Sequence, residues 1–147
     1  MSEKVIEINY LDPNMPKIEK VGGKKSDWID LRSAEEVHLR AGQFKLVGLG
    51  VCMKIPDGYE ALLAPRSSTF KHYNVIQTNS LGIVDETYCG PDDEWKLPVY
   101  AVKDTVIPKY DRICQFRIIE HQPDILFREV DEMSGVNRGG FGHTGSK

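Results

Sequence analysis

Apolar and polar residues alternate along most of the chain in short runs, and Gly, Pro, Asn and Asp separate the runs. A two-residue period predicts strands whose two faces meet different surroundings. "EKVIEINYL" places Val5 on one face and Ile6 and Ile8 on the other. "QFKLVGLGVCMKIPDG" predicts one strand through Val47 and another through Met53, stopped by Pro56, Asp57 and Gly58. "YEALLAP", "YNVIQTNSLGIV", "WKLPVYAVK", "DTVIP", "RICQFRIIEH" and "ILFREV" continue the series at spacings that predict an all-β sandwich or barrel.

Two segments depart from the strand pattern. Ser33 and Glu36 have capping-box spacing, which would start a helix, but Val37 and Leu39 alternate with His38 and Arg40 up to Gly42. A strand is expected there. "SSTFKHYN", residues 67–74, shows no alternation and opens on two serines that could cap, so it is the one short helical turn expected. From Ser134 to Lys147 the chain is glycine-rich and nearly without core material, too poor in apolar surface to order itself. The domain organisation expected is a single β-domain over 1–133 and a flexible arm over 134–147.

Composition narrows the picture. With 147 residues, 40% hydrophobic and 28% charged, the chain suits one core of ordinary size. No apolar run approaches the roughly 20 residues that cross a bilayer, and "MSEKVIEINY" has no signal-peptide pattern. A cytoplasmic protein without a membrane partner is expected. A net charge of −3 gives no support to a nucleic-acid surface, so an anionic ligand would need locally concentrated cations. Cys52, Cys89 and Cys114 form no C-x-x-C pair, and the four histidines have no zinc spacing.

The chemistry-bearing residues come in separate fragments. "DWIDLRS" carries Asp30, and "APRSSTF" carries Arg66, Ser67 and Ser68 at a turn whose N–H groups suit an anion. "NSLGIVDETYCG" supplies Asn79, Gly82, Val84, Asp85 and Tyr88, "DRICQF" supplies Arg112 and Gln115, and the tail supplies Arg138 and Phe141. Arg138 among glycines fits a backbone that approaches phosphate closely.

In this order, the fragments resemble the five motifs of the trimeric deoxyuridine triphosphatases (dUTPases), closest to the branch found in Firmicutes and their phages. The likeness spans Asp27 to Gly145. Its most specific element, Gly-x-[Ile/Val]-Asp-x-x-Tyr-x-Gly, is intact as Gly82–Gly90. The resemblance implies a distorted jelly-roll subunit (the dUTPase-like β-clip) assembled as a homotrimer with shared active sites. It also implies Mg²⁺-dependent hydrolysis of dUTP to dUMP and pyrophosphate, which keeps uracil out of DNA and supplies dUMP for thymidylate synthesis. Asp85 would be the general base for water attacking the α-phosphorus, and Arg66 would steady that carboxylate. Tyr88 would pack on the deoxyribose and leave no room for a 2′-hydroxyl. Asn79 and the backbone of its hairpin, Gly82 and Val84 included, would read the uracil edge, which cytosine presents in reverse. Arg66 and Arg138, with Ser67 and Ser68, would offset the phosphate charge, and Asp30 and Gln115 would reach the metal and substrate through water.

The sequence departs from the family in two places. Asp27 and Trp28 replace the usual small pair before Asp30. The tail between Arg138 and Phe141 is two residues short, about 7 Å of extended chain. The ring over uracil is therefore expected from either Phe141 or Trp95, the latter on "PDDEW", whose Asp92–Asp93–Glu94 run reads as a solvated loop face. Two rival functions are a dCTP deaminase of the same fold, for which Glu94 is the nearby proton carrier, and a phage-type enzyme with an added protein-binding regulatory role.

Overall fold

The computed structural model describes residues 3–18 and 27–141. Eleven strands and one helix follow in the order β1 (Glu7–Tyr10), β2 (Ile29–Arg32), β3 (Val37–Leu39), β4 (Phe44–Gly48), β5 (Val51–Lys54), β6 (Tyr59–Pro65), α1 (Thr69–Tyr73), β7 (Val75–Gln77), β8 (Gly82–Val84), β9 (Lys96–Ala101), β10 (Thr105–Ile107) and β11 (Arg112–Glu120). The strand expected over Val37–Leu39 and the helical turn within 67–74 are both present. Residues 19–26 and 142–147, with part of the expected Gly-Lys loop and the end of the tail, lie outside the described residues. Among the described residues, no helix is long and apolar enough to cross a membrane.

Every pairing is antiparallel. One sheet runs β2-β11-β6-β8 and another β4-β9-β7, flanked by the pairs β1-β5 and β10-β3. Alternation turns Leu31, Ala61, Leu63 and Phe116 inward from the first sheet and Val47, Val75, Leu97 and Val99 inward from the second, and these join one buried cluster. A register shift between Arg112 and Cys114 lets Ile113 and Cys114 both face the core, as a bulge does. Beyond it, Gln115 pairs with Asp30 on one side and Ala64 on the other, so Asp30 and Gln115 share the outer face.

Three expectations are corrected. Trp95 is not a surface ring: it is 1% exposed and packs edge-to-face on Phe116 at 5.2 Å. The alternation that buries Leu97 and Val99 also buries Trp95 two residues earlier. We expect Trp95→Ala to lower unfolding free energy by about 3–5 kcal/mol, read by chemical denaturation. Secondly, Asp92–Asp93–Glu94 is only partly a solvated face. Asp93 Oδ2 accepts from Gly90 N–H at 2.8 Å, and Glu94 Oε2 accepts from Gly50 N–H at 3.0 Å. Thirdly, no strand forms over "ILFREV". From His121 to Phe141 the chain runs as an irregular, almost wholly exposed arm.

Candidate functional site

The outer face of the first sheet gathers one set of predicted residues. Asp30 on β2 receives Arg66 Nε on Oδ1 at 3.1 Å and Arg112 Nη1 on Oδ2 at 3.5 Å. Arg66 Nη1 also donates to the Arg112 carbonyl at 3.4 Å. Gln115 Nε2 donates to the Pro65 carbonyl at 3.1 Å, which ties β11 to the segment that carries Arg66. One carboxylate thus fans two guanidiniums over a single patch.

Ser67 and Ser68 lead into α1. Ser68 occupies the N-cap position, but its hydroxyl makes no capping bond. Thr69, which sequence reasoning passed over, does the structural work. Its buried Oγ1 accepts from Arg66 N–H at 2.8 Å and donates to the Ile113 carbonyl at 2.9 Å. The serine hydroxyls are therefore left to the outer side of the turn, and Asn74 closes the helix in the left-handed region.

A second set is built on the hairpin from β7 to β8. Buried Gln77 donates from Nε2 to the Leu63 carbonyl at 2.9 Å and to Asn79 Oδ1 at 2.8 Å. That bond fixes the Asn79 amide with its nitrogen toward Gly82, where an added β-carbon would lie 3.5 Å from Nδ2 and 3.1 Å from Leu63 Cβ. Gly82 therefore keeps the hairpin close to β6. A cleft of about 490 Å³ opens beside it, lined by Leu63, Ile83, Val84, Asp85 and Tyr88, with Trp95 in its wall. Its size suits a small ligand such as a nucleoside.

Asp85 ends β8 in a turn that presents its carboxylate outward. Tyr88 N–H donates to the Asp85 carbonyl at 3.0 Å and Thr87 N–H to Asp85 Oδ1 at 2.7 Å. The Thr87 backbone bond, then its side chain, hold the Asp85 carboxyl below its ordinary 3.8. Hydrogen bonds to the charged form act in this direction. Tyr88 lies across the same turn with its hydroxyl donating to the Glu94 carbonyl at 2.8 Å. Burial, followed by Asp93, Cys52 and Glu94, pushes the Tyr88 phenol up, so it stays neutral. An anchored tip and a 40% exposed ring make a fixed wall for whatever enters the cleft.

The two sets do not meet within one chain. Val84 stands opposite Ala61, and Arg66 lies just beyond Pro65 at the other end of β6. Asp85 and Arg66 are thus separated by about 20 Å of strand. The expectation that Arg66 steadies Asp85 fails within a single subunit. Arg138 and Phe141 stand apart from both sets on the exposed arm, with Phe141 at φ +47° after Gly139 at +81° and Gly140 at +153°.

A phage-derived enzyme of Bacillus subtilis, the SPbeta prophage-derived deoxyuridine 5'-triphosphate nucleotidohydrolase, is 52% identical over 142 residues, covering 97% of this chain and 99% of that one. Among solved structures, the dUTPase of Staphylococcus bacteriophage 80alpha with dUPNHPP is similar at a TM-score of 0.70 and 22% identity, covering 97% of this chain and 99% of that one. A dUTPase mutant from phage phi11 of S. aureus, described with a structural Mg(II) ion, is similar at 0.72 and 19% identity, covering 87% and 97%. These likenesses show the dUTPase jelly-roll fold. The sequence model of the dUTPase family matches residues 21–145, and the chain belongs to that family.

Proposed function

We infer that the protein hydrolyses dUTP to dUMP and pyrophosphate, and that Asp85 activates the attacking water. The observation that carries the assignment of the base is the cleft beside β8, which brings together the Tyr88 ring and the outward carboxylate of Asp85, while Asn79 is held by Gln77 on the hairpin that leads into β8. Uracil fits the hairpin, with the Asn79 amide donating to a base carbonyl and backbone groups between Gly82 and Val84 completing the edge. The Tyr88 ring borders the sugar and excludes a 2′-hydroxyl by shape. Asp85 accepts the water proton as the new bond to the α-phosphorus forms, and the bond to the bridging oxygen breaks to release pyrophosphate. A carboxylate held below 3.8 is ionised at neutral pH but is a weak proton acceptor. Neutralisation of the phosphates must supply the remaining acceleration.

The cations for that purpose lie on the other set: Arg66 with Ser67 and Ser68, and Arg138 from the arm. Because Asp85 and Arg66 are too far apart in one chain, the complete site is built between subunits of a homotrimer. Two further features support that assembly. The arm bares Leu126 at 82%, Phe127 at 91% and Val136 at 96% exposure, and nothing in its own subunit covers them. The outer face of the β4-β9-β7 sheet lines up Phe44, Tyr100 and Ile76 across its strands, with Leu46 beside them, all exposed. Apolar surface of this kind marks an interface. Phe141, delivered by a neighbour's arm, is the ring left to close over the base, since Trp95 is buried.

The residues present suit Mg²⁺. Both Asp30 oxygens face guanidiniums, and among the described residues no group of three or more His, Cys, Asp or Glu forms a metal cage. An ion that keeps water and substrate phosphate as most of its ligands fits such a site, with Asp30 and Gln115 reached through water. When bound, the ion would orient the phosphate chain and spread the charge of the leaving group. The deaminase reading loses its proton carrier, because Glu94 is committed to Gly50 N–H. A pyrophosphate-release assay across dUTP, UTP, dCTP and dTTP tests the function. Turnover of dUTP at least about 10²-fold above the others, in kcat/KM, is expected, from mismatched buried polar groups for dCTP and from shape for UTP and dTTP. Equal turnover of dUTP and dCTP, or ammonia release from dCTP, would contradict it.

A further inference from the structure

The Asp85 turn hangs on the edge of its sheet by three residues, since β8 pairs with β6 alone. Bonds within the turn, from Thr87 and Tyr88 to Asp85, set its shape but not its place on the body. Tyr88 reaches outward to Glu94. Glu86 makes the other outward attachment, and the proposed chemistry gives it no task. Its side chain is 26% exposed, and Oε2 accepts from Gly58 N–H at 2.7 Å. Its Oε1 lies 3.7 Å from His121 Nδ1, while His121 N–H donates to the Gly58 carbonyl at 2.9 Å. Gly58, at φ +85° in the β5–β6 turn, thus uses its N–H on the catalytic turn and its carbonyl on the root of the arm.

We propose that Glu86 is a positioning residue for the hydrolysis: its carboxylate, held between Gly58 N–H and His121, fixes the Asp85 turn against the body and the root of the C-terminal arm. The inference rests on Asp85 as the base and adds what places it. Misplacing a reacting group by about 1 Å can cost about 10²-fold in rate, so the effect belongs in kcat rather than in substrate affinity.

Three variants test it through steady-state dUTP hydrolysis. Glu86→Ala should lower kcat by about 10-fold or more with KM within about 3-fold. Glu86→Gln keeps an oxygen for Gly58 N–H and should recover kcat to within about 3-fold of the parent. Glu86→Asp keeps the charge but is shorter by about 1.5 Å. It should resemble Glu86→Ala, and it remains informative if the alanine variant fails to fold. Parental kcat in Glu86→Asp or Glu86→Ala overturns the proposal, as does a Glu86→Gln variant as slow as Glu86→Ala. Failure of Asp85 as base would appear separately, as an active Asp85→Asn enzyme with the parent Glu86 in place.

Discussion

Replacing Asp85 with Asn should lower kcat for dUTP by about 10²- to 10⁴-fold, with KM within about 3-fold. The amide cannot take the water proton, but it keeps an oxygen that can accept from Thr87 N–H, now 2.7 Å from Asp85 Oδ1. The turn, the Tyr88 ring and the cleft therefore persist, and nucleotide binding survives while chemistry fails. The sign with pH follows from the lowered carboxyl. Its contribution to folding stability is present above the unfolded value near 3.8 and is lost as pH falls through the lower folded value. Between neutral pH and about 4, this group should therefore impose no acid limb on kcat/KM, which reports the free enzyme. Stopped-flow or steady-state pyrophosphate release on the variant, with a bound-nucleotide titration beside it, separates the two effects.

Ending the chain at Met133 should lower kcat/KM by about 10²-fold or more while leaving the β-body folded. The truncation removes Arg138 and Phe141, and among the described residues it deletes none is buried in its own subunit, where Val136 is 96% exposed and Phe141 fully so. Charge-assisted hydrogen bonds contribute about 1.5–3 kcal/mol each, so Arg138→Ala alone accounts for about 10- to 10²-fold in kcat/KM. Phe141→Ala should act differently, raising KM by about 10-fold as a stacking ring is lost. Unchanged thermal unfolding of Arg138→Ala and Phe141→Ala beside these losses assigns the two side chains to the site rather than to the fold. Parental kinetics in the truncated chain would remove the arm from the site.

The fold was legible wherever a strand's two faces meet different surroundings. Val37–Leu39 and the alternation of β6 are examples, and the broken pattern at 67–74 marked α1. Trp95 was misread because an acidic run precedes it, and only the register of β9 shows that it shares a face with Leu97 and Val99. The "ILFREV" segment alternates like a strand but pairs with no strand among the described residues, and alternation alone does not supply a partner edge. The hairpin part of the site was legible because Asn79, Gly82, Asp85 and Tyr88 are close in sequence. The distance between Asp85 and Arg66 was not, since it depends on how β8 pairs along β6. The supporting residues Thr69, Gln77, Glu86 and Thr87 were missed as well. Only Thr87 had a local signal, as the N–H two residues after an Asp that can close a side-chain turn.

Mixing two defective subunits tests the shared site most directly. Asp85→Asn and Arg66→Ala homotrimers are each expected to be nearly inactive. Unfolded together in equal amounts and refolded, they should regain about a quarter of the parental rate, because random closed trimers bring an intact Asp85 and an intact Arg66 from different chains to about one site in four. A mixture no more active than its two components would place both residues in one subunit's site and contradict the account.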